Sequence, residues 1–231
     1  FFPVLSAMFE QILGESPYKS PTDMGVNMVG NCIEDDEAVC NAAYQEIIRR
    51  YYTALCNRKQ GIGSDGEVFK LELLMKQAEV STSDRAVVKE AVSRAVETGD
   101  DACAIQLLDG RIITGRTTPL LGATSSAMLN ALKAVTGIDD EVHLISPEVL
   151  EPLQKLKTDH FGSRNPRLHT DETLIALSIC AASDDVAKKA LDGLAELRGA
   201  EAHSSVLLSQ VDENVFKKLG INLTCEAVYN K

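Results

Sequence analysis

Ala102-Cys-Ala-Ile-Gln-Leu-Leu-Asp-Gly-Arg-Ile-Ile-Thr-Gly115 decides the fold class. Two short apolar runs, residues 102–108 and 111–115, flank Asp109-Gly110. An Asp-Gly pair between such runs is the strongest local hairpin signal, because a type I′ turn needs φ > 0 at both central residues. The stretch predicts a β-hairpin, and everything before it reads as helix.

Upstream, Val4 to Leu13 is a short apolar helix closed by Gly14. A Pro-punctuated loop, Ser16 to Pro21, follows. From about Asp35 to Cys56, apolar residues recur at Val39, Ala42, Ala43, Ile47, Tyr51 and Leu55, which is helical spacing. Further helices are predicted over about Glu67–Ala78 and from Ser83 to Gly99, with glycine ending the second. Gly61-Ile-Gly-Ser-Asp-Gly66 matches G-x-G-x-x-G but follows a helix rather than a strand, so it reads as a loop and not a dinucleotide site.

Downstream, a helix from Ala123 to Val135 stops at Gly137. Val142–Ile145 reads as a short strand, and Ser146-Pro147-Glu148 as N-cap, first-turn proline and first-turn acid. A polar loop spans Thr158–His169. Thr170 and Asp184 read as caps of two more helices. The tail reads strand (Ala202–Leu208), helix (Asp212–Leu219), strand (Ile221–Val228), a βαβ unit. The expected division is a helical subdomain, residues 1–98, followed by an α/β subdomain, residues 99–231.

With 45% hydrophobic and 25% charged residues, the 231-residue chain has material for a core. A net charge of -11 disfavours nucleic acid and anionic membrane as partners. No apolar run reaches the roughly 20 residues of a membrane span. The six cysteines form no C-x-x-C pair and sit mostly in apolar segments, which points to reduced thiols and a cytoplasmic address. Phe1-Phe2-Pro3 is not a signal peptide and reads as the interior of a longer chain.

Asp109–Gly115 and the helix carrying Ala127, Leu129, Ala131 and Leu132 resemble the hairpin and first zinc helix of cytidine deaminases. Ile145-Ser146-Pro147 resembles the start of their second zinc helix. The resemblance implies a three-layer αβα subdomain with a mixed sheet. It does not carry the zinc ligands. The first helix opens Gly122-Ala-Thr-Ser-Ser126 where the family has a zinc Cys or His, then Ala, then a catalytic Glu. The second opens Pro147-Glu-Val-Leu150 where the family has Pro-Cys-x-x-Cys. Zinc is therefore not expected, and the cofactor stays unknown.

Ser16-Pro-Tyr-Lys-Ser-Pro-Thr-Asp-Met-Gly-Val-Asn-Met28, Lys155-Leu-Lys157, Gly162-Ser-Arg-Asn-Pro-Arg-Leu-His-Thr-Asp-Glu172 and Ser209-Gln-Val-Asp-Glu-Asn-Val-Phe216 carry a longer resemblance. They are similar to the bacterial domain-of-unknown-function family eighteen-forty-six, across essentially the whole chain. That resemblance implies a C-terminal half of a protein roughly twice this length, with the N-terminal half as its partner. It supplies no reaction.

The loop Thr158–Glu172 concentrates His160, Arg164, Asn165, Arg167 and His169 before a helix N-terminus, where free N–H groups and the dipole favour an anion. Arg can hold phosphate or carboxylate bidentately. The bland alternative is a solvated loop whose arginines tie down neighbouring segments. Arg116, Thr124 and Ser125 flank another helix start and would complete a phosphate cradle; simple capping would explain one of them. Lys19 adds a second candidate cation.

The leading expectation is an enzyme or binding protein for a phosphorylated or nucleotide-like anion. Lys19, Arg116, Thr124, Ser125, Arg164, Asn165 and Arg167 would bind it, and His169 or His160 would serve as acid or base. The competing expectation is a non-catalytic homo-oligomeric assembly module using the apolar helices of residues 35–98.

Overall fold

The computed structural model describes residues 2–16 and 36–229. Lys19 and its loop lie outside the described residues. The hairpin forms as β1 (Ala102–Gln106) and β2 (Ile112–Arg116), antiparallel, with Ile105 opposite Ile113. β1 also pairs antiparallel with β3 (Glu201–Ser204), and β3 runs parallel to β4 (Asn222–Cys225). The result is a four-stranded mixed sheet of order β2-β1-β3-β4 in a mixed α/β chain.

The hairpin turn is not the type I′ turn that Asp109-Gly110 predicts. Leu107 C=O accepts from Gly110 N at 3.0 Å, and Leu107 N donates to Arg111 O at 2.8 Å. Of the pair, Gly110 alone takes positive φ, +87°. This is the pattern of a tight turn closed by a glycine bulge. The Asp109 carboxylate accepts from Arg111 N at 3.0 Å and from its Nε at 2.7 Å, which stabilises the open side of the turn.

Helices cover both faces of the sheet. Cys103 and Ile105 of β1 face a core with Ala127, Met128 and Ala131 of α5 (Ala123–Thr136). Ala104, between them, faces Val87 and Ala91 of α4 (Ala86–Thr98). α7 (Thr170–Cys180) and α8 (Asp185–Asp192) pack on α5, α6 (Pro147–Lys155) packs on α7, and α9 (Gln210–Leu219) packs between α7 and β4. β2 lies so close to α5 that a Cβ on Gly115 would meet the Ala127 nitrogen at 2.1 Å.

Three local features differ from the sequence expectation. Val142–Ile145 is not a strand, although Leu144 and Ile145 are buried. Asp139 Oδ1 accepts from Glu141 N at 2.8 Å, and Lys133 Nζ donates to Asp140 O at 2.6 Å, so the preceding residues curl into a turn. The two C-terminal strands stop at Ser204 and Cys225, well short of Leu208 and Val228. Ser146 is the N-cap of α6 as the sequence implies, with Pro147 and Glu148 in the first turn. Thr170 is not a cap; His169 occupies that position and Thr170 is the first helical residue.

The helices before the hairpin are α1 (Phe2–Leu13), α2 (Asp36–Lys59), α3 (Asp65–Gln77) and α4. Gly61–Gly66 turns α2 into α3, and the Ser64 hydroxyl caps α3 by accepting from Glu67 N. Ile47, Ile48 and Tyr52 of α2 pack with Met75 and Val88. One face of α4 thus meets α2 and α3, while Val87 and Ala91 meet the sheet. α4, grouped by the sequence with residues 1–98, belongs to both cores.

Arg85, 1% exposed, locks this junction. Its Nε donates to Thr224 Oγ1 at 3.1 Å, one Nη reaches Glu201 and Gln45 Oε1, and the other reaches the carbonyls of Ala202 (2.9 Å) and Asn222 (2.7 Å). Burial pulls its pKa down, and the Glu201 carboxylate opposes that. Without the guanidinium, Glu201 keeps Arg49 but loses its buried partner, and the Ala202 and Asn222 carbonyls lose the Arg85 donor. Arg85→Leu is expected to lower unfolding free energy by about 3–5 kcal/mol in urea titration. A loss under about 1 kcal/mol, the scale of an exposed pair, would contradict this role.

Candidate functional site

Asp212, in the first turn of α9, is 4% exposed and gathers donors from three helices. Its Oδ1 accepts from Thr170 N at 2.9 Å, Thr170 Oγ1 at 2.8 Å and Thr124 Oγ1 at 3.3 Å. Its Oδ2 accepts from Ser209 Oγ at 2.8 Å and lies 2.9 Å from His169 Nδ1. Burial works to raise the carboxyl pKa. The bonds from His169, Thr170 and Ser209 outweigh it and hold the group well below the usual carboxylate range. Asp212 is therefore ionised at neutral pH, and His169 Nδ1 carries the proton between them.

That bond decides what His169 can do. Nδ1–H points at Asp212, and no described residue bonds Nε2. The neutral ring presents a lone pair at Nε2, and the protonated ring a proton. The Asp212 hydrogen bond raises the imidazole pKa above its ordinary 6.5, against the opposing effect of burial. The backbone N–H of His169 donates to Glu172 Oε2 at 2.8 Å, which fixes the residue at the start of α7. Glu172 also binds Lys157 Nζ at 2.6 Å, and Lys157 donates to the Arg167 carbonyl at 2.6 Å.

His169 lines a hollow of about 120 Å³. Three helix starts open onto it: Gly122–Thr124 of α5, His169 before α7, and Ser209 with Asp212 of α9. Asn165, Arg167, Thr117 and Asp101 complete the wall. At ~30 Å³ per water, the space suits about four waters or one phosphate-sized anion. No described carboxylate pairs with the Arg167 guanidinium. Among the described residues, no group of three His, Cys, Asp or Glu side chains is placed to hold a metal ion.

The structure brings His169, Asn165, Arg167 and Thr124 around one hollow and leaves the other candidates elsewhere. The Thr124 hydroxyl is spent on Asp212, and the Ser125 hydroxyl donates to Leu168 O at 3.0 Å. Thr124 thus lines the hollow with its hydroxyl already engaged, and Ser125 does not line it. Arg164 is exposed and does not line the hollow. His160 is exposed at the end of a π-helical turn, Leu156–His160, and does not line it either. Arg116 pairs with Asp100 at 2.7 Å on the surface. Asp212 and Ser209 were missed, because Ser-x-x-Asp at a helix start reads as an ordinary capping pattern.

Fold and site together define a mixed α/β protein with a carboxylate-held histidine above a hollow of helix starts. The chain belongs to the family described as domain of unknown function DUF1846: its N-terminal model matches residues 1–79 and its C-terminal model residues 83–231. It is 51% identical over 228 residues to a UPF0371 protein of Corynebacterium aurimucosum, covering 99% of this chain and 46% of the relative. It is 52% identical over 228 residues to the UPF0371 protein str1377 of Streptococcus thermophilus, with the same two coverages. The chain thus spans about half the length of the curated relatives it matches.

The sign of the pH dependence follows from the two shifts. His169, with its pKa raised on folding, contributes stability that is full below about 6.5 and is lost as pH rises through its folded value. Asp212, with its pKa lowered, contributes stability that is full above about 3.9 and is lost as pH falls through its folded value. An NMR titration of the His169 ring is expected to give a midpoint above 6.5 in the parent chain and a lower one in Asp212→Asn. An identical midpoint in both would show that Asp212 does not govern the ring.

Proposed function

We propose that this chain carries a small-molecule site for a phosphorylated or nucleotide-like anion, in which His169 acts as general acid or base. The observation that supports it is the His169–Asp212 pair, 2.9 Å apart, on a hollow where three helix N-termini meet. The first N–H of α7 and that of Asp212 in α9 are already bonded, so the start of α5, whose first three N–H groups have no described backbone partner, is the end that favours negative charge. Arg167 adds a guanidinium with no carboxylate partner among the described residues, and Asn165 adds an amide. The hollow fits the anionic head alone, so the body of the ligand lies outside it.

Asp212 keeps the imidazole in one tautomer and one orientation, the arrangement in which a histidine exchanges a proton through Nε2. A neutral His169 would take a proton from a bound hydroxyl or water, and the charged ring would return it to a leaving oxygen. We carry the deaminase likeness as part of this reading. The hairpin leading into α5 and the Pro147 start of α6 support the scaffold, while Thr124 and Glu148 stand where zinc chemistry would need other residues. The remainder of the family's longer chain is the proposed source of further walls for the substrate.

A second reading, a homo-oligomeric assembly module, draws on Phe69 with Leu73 of α3 and Val92 with Val96 of α4, apolar pairs one turn apart and exposed. Sedimentation of the full chain and a Val96→Lys variant separates it: dissociation on substitution would favour this reading.

A thermal-shift panel of phosphorylated metabolites on the full chain tests the first reading. A ligand at about 100 times its Kd is expected to add about 2.7 kcal/mol, and Arg167→Ala to abolish the shift. Above the pH at which the ring loses its charge, His169→Gln should keep binding while turnover, followed by phosphorus NMR, drops by about 10²–10⁴. A shift that survives Arg167→Ala, or turnover indifferent to His169, would sink the proposal.

A further inference from the structure

A second hollow, about 370 Å³, lies where β2, α4, α5 and the segment before α6 meet, and none of the residues lining it lines the first. Its volume falls in the range of roughly 300–1,000 Å³ typical of small-molecule sites. Arg94, Arg116, Lys133 and His143 line it, each from a different element. No carboxylate side chain does so among the described residues. Leu129, Leu144 and Leu150 supply an apolar wall. A cationic set beside an apolar wall, in a chain of net charge -11, runs against the background of the molecule.

The cations are only partly committed. Arg94 Nη1 touches Glu97 at 2.8 Å and Arg116 Nη1 touches Asp100 at 2.7 Å, both in exposed pairs that water already weakens. Lys133 gives one of its three protons to the Asp140 carbonyl. Among the described residues, the Ser126 hydroxyl and Arg94 Nε lack a hydrogen-bond partner, but both atoms are covered and neither faces the open space. The groups left to meet a ligand are the outer guanidinium nitrogens of Arg94 and Arg116 and the Lys133 ammonium.

We infer that this hollow is a binding site for a small amphipathic organic phosphate, its apolar body on the leucine wall and its phosphate between Arg94, Arg116 and Lys133. Donors arriving from α4, β2 and α5 suit an anion with three oxygens better than a planar carboxylate. This inference stands apart from the His169 site and needs no chemistry there.

Phenyl phosphate, titrated calorimetrically into the full chain with inorganic phosphate and benzoate as controls, tests it. Phenyl phosphate is expected to bind about tenfold or more tighter than either control. Arg116→Gln and Arg94→Gln should each weaken it about threefold or more. Both variants should fold, since both side chains are more than a third exposed. Equal affinity for benzoate would overturn the phosphate assignment. No measurable binding, or binding lost in Arg167→Ala but kept in Arg116→Gln, would overturn the site.

Discussion

The Asp212 carboxylate accepts hydrogen bonds from α5, from α7 and from the cap of its own helix, and lies against the His169 ring. A buried carboxylate is tolerable only when it is paired and saturated with donors. Here that requirement is met by drawing three helix starts to one point. The hollow beside it is a consequence, since its walls are the first residues of those helices. The same demand consumes the Thr124 and Thr170 hydroxyls. What remains for chemistry is the far side of the His169 ring, the Arg167 guanidinium and Asn165.

A comparable constraint sets the other end of the sheet. Arg85 spends its guanidinium on Thr224, Glu201, Gln45 and two carbonyls of β3 and β4. Tyr52 of α2 packs on the His203 ring with centroids 4.8 Å apart, and Arg49 binds Glu201 at 2.9 Å. His203 is fully buried, and burial lowers its pKa although the Glu226 carboxylate opposes this. Its Nδ1 meets Thr224 Oγ1 at 2.8 Å, while Nε2 approaches Glu226 at 3.3 Å without the alignment of a hydrogen bond. The helical residues before the hairpin are thus fastened to β3 and β4 by buried polar contacts as well as apolar packing.

Much of this was legible in the sequence where local rules act alone. Gly99, Gly137 and Gly220 end helices with positive φ, as glycines after apolar periodic runs do. The Asp109-Gly110 signal placed the hairpin correctly and mistook its turn, because side-chain bonds from Asp109 to Arg111 are a second local solution. Val142–Ile145 looked like a strand because burial without periodicity does not distinguish a strand from a core-facing turn. The dense loop before Glu172 pointed to His169, Asn165 and Arg167. It could not show that His160 and Arg164 would face solvent, since that depends on the π-helical turn at Leu156–His160. Asp212 lay out of reach because its partners are 42 and 88 residues away in sequence.

Asp212 sets the charge of the His169 ring beside an anion-sized hollow. Sulfate keeps one charge state across neutral pH, so its affinity measured from pH 5.5 to 9 reads the protein alone. Sulfate binding to the full chain is expected to weaken as pH rises through the His169 midpoint, and His169→Gln to remove this dependence. A sulfate affinity that stays flat with pH, or one whose slope survives His169→Gln, would contradict this.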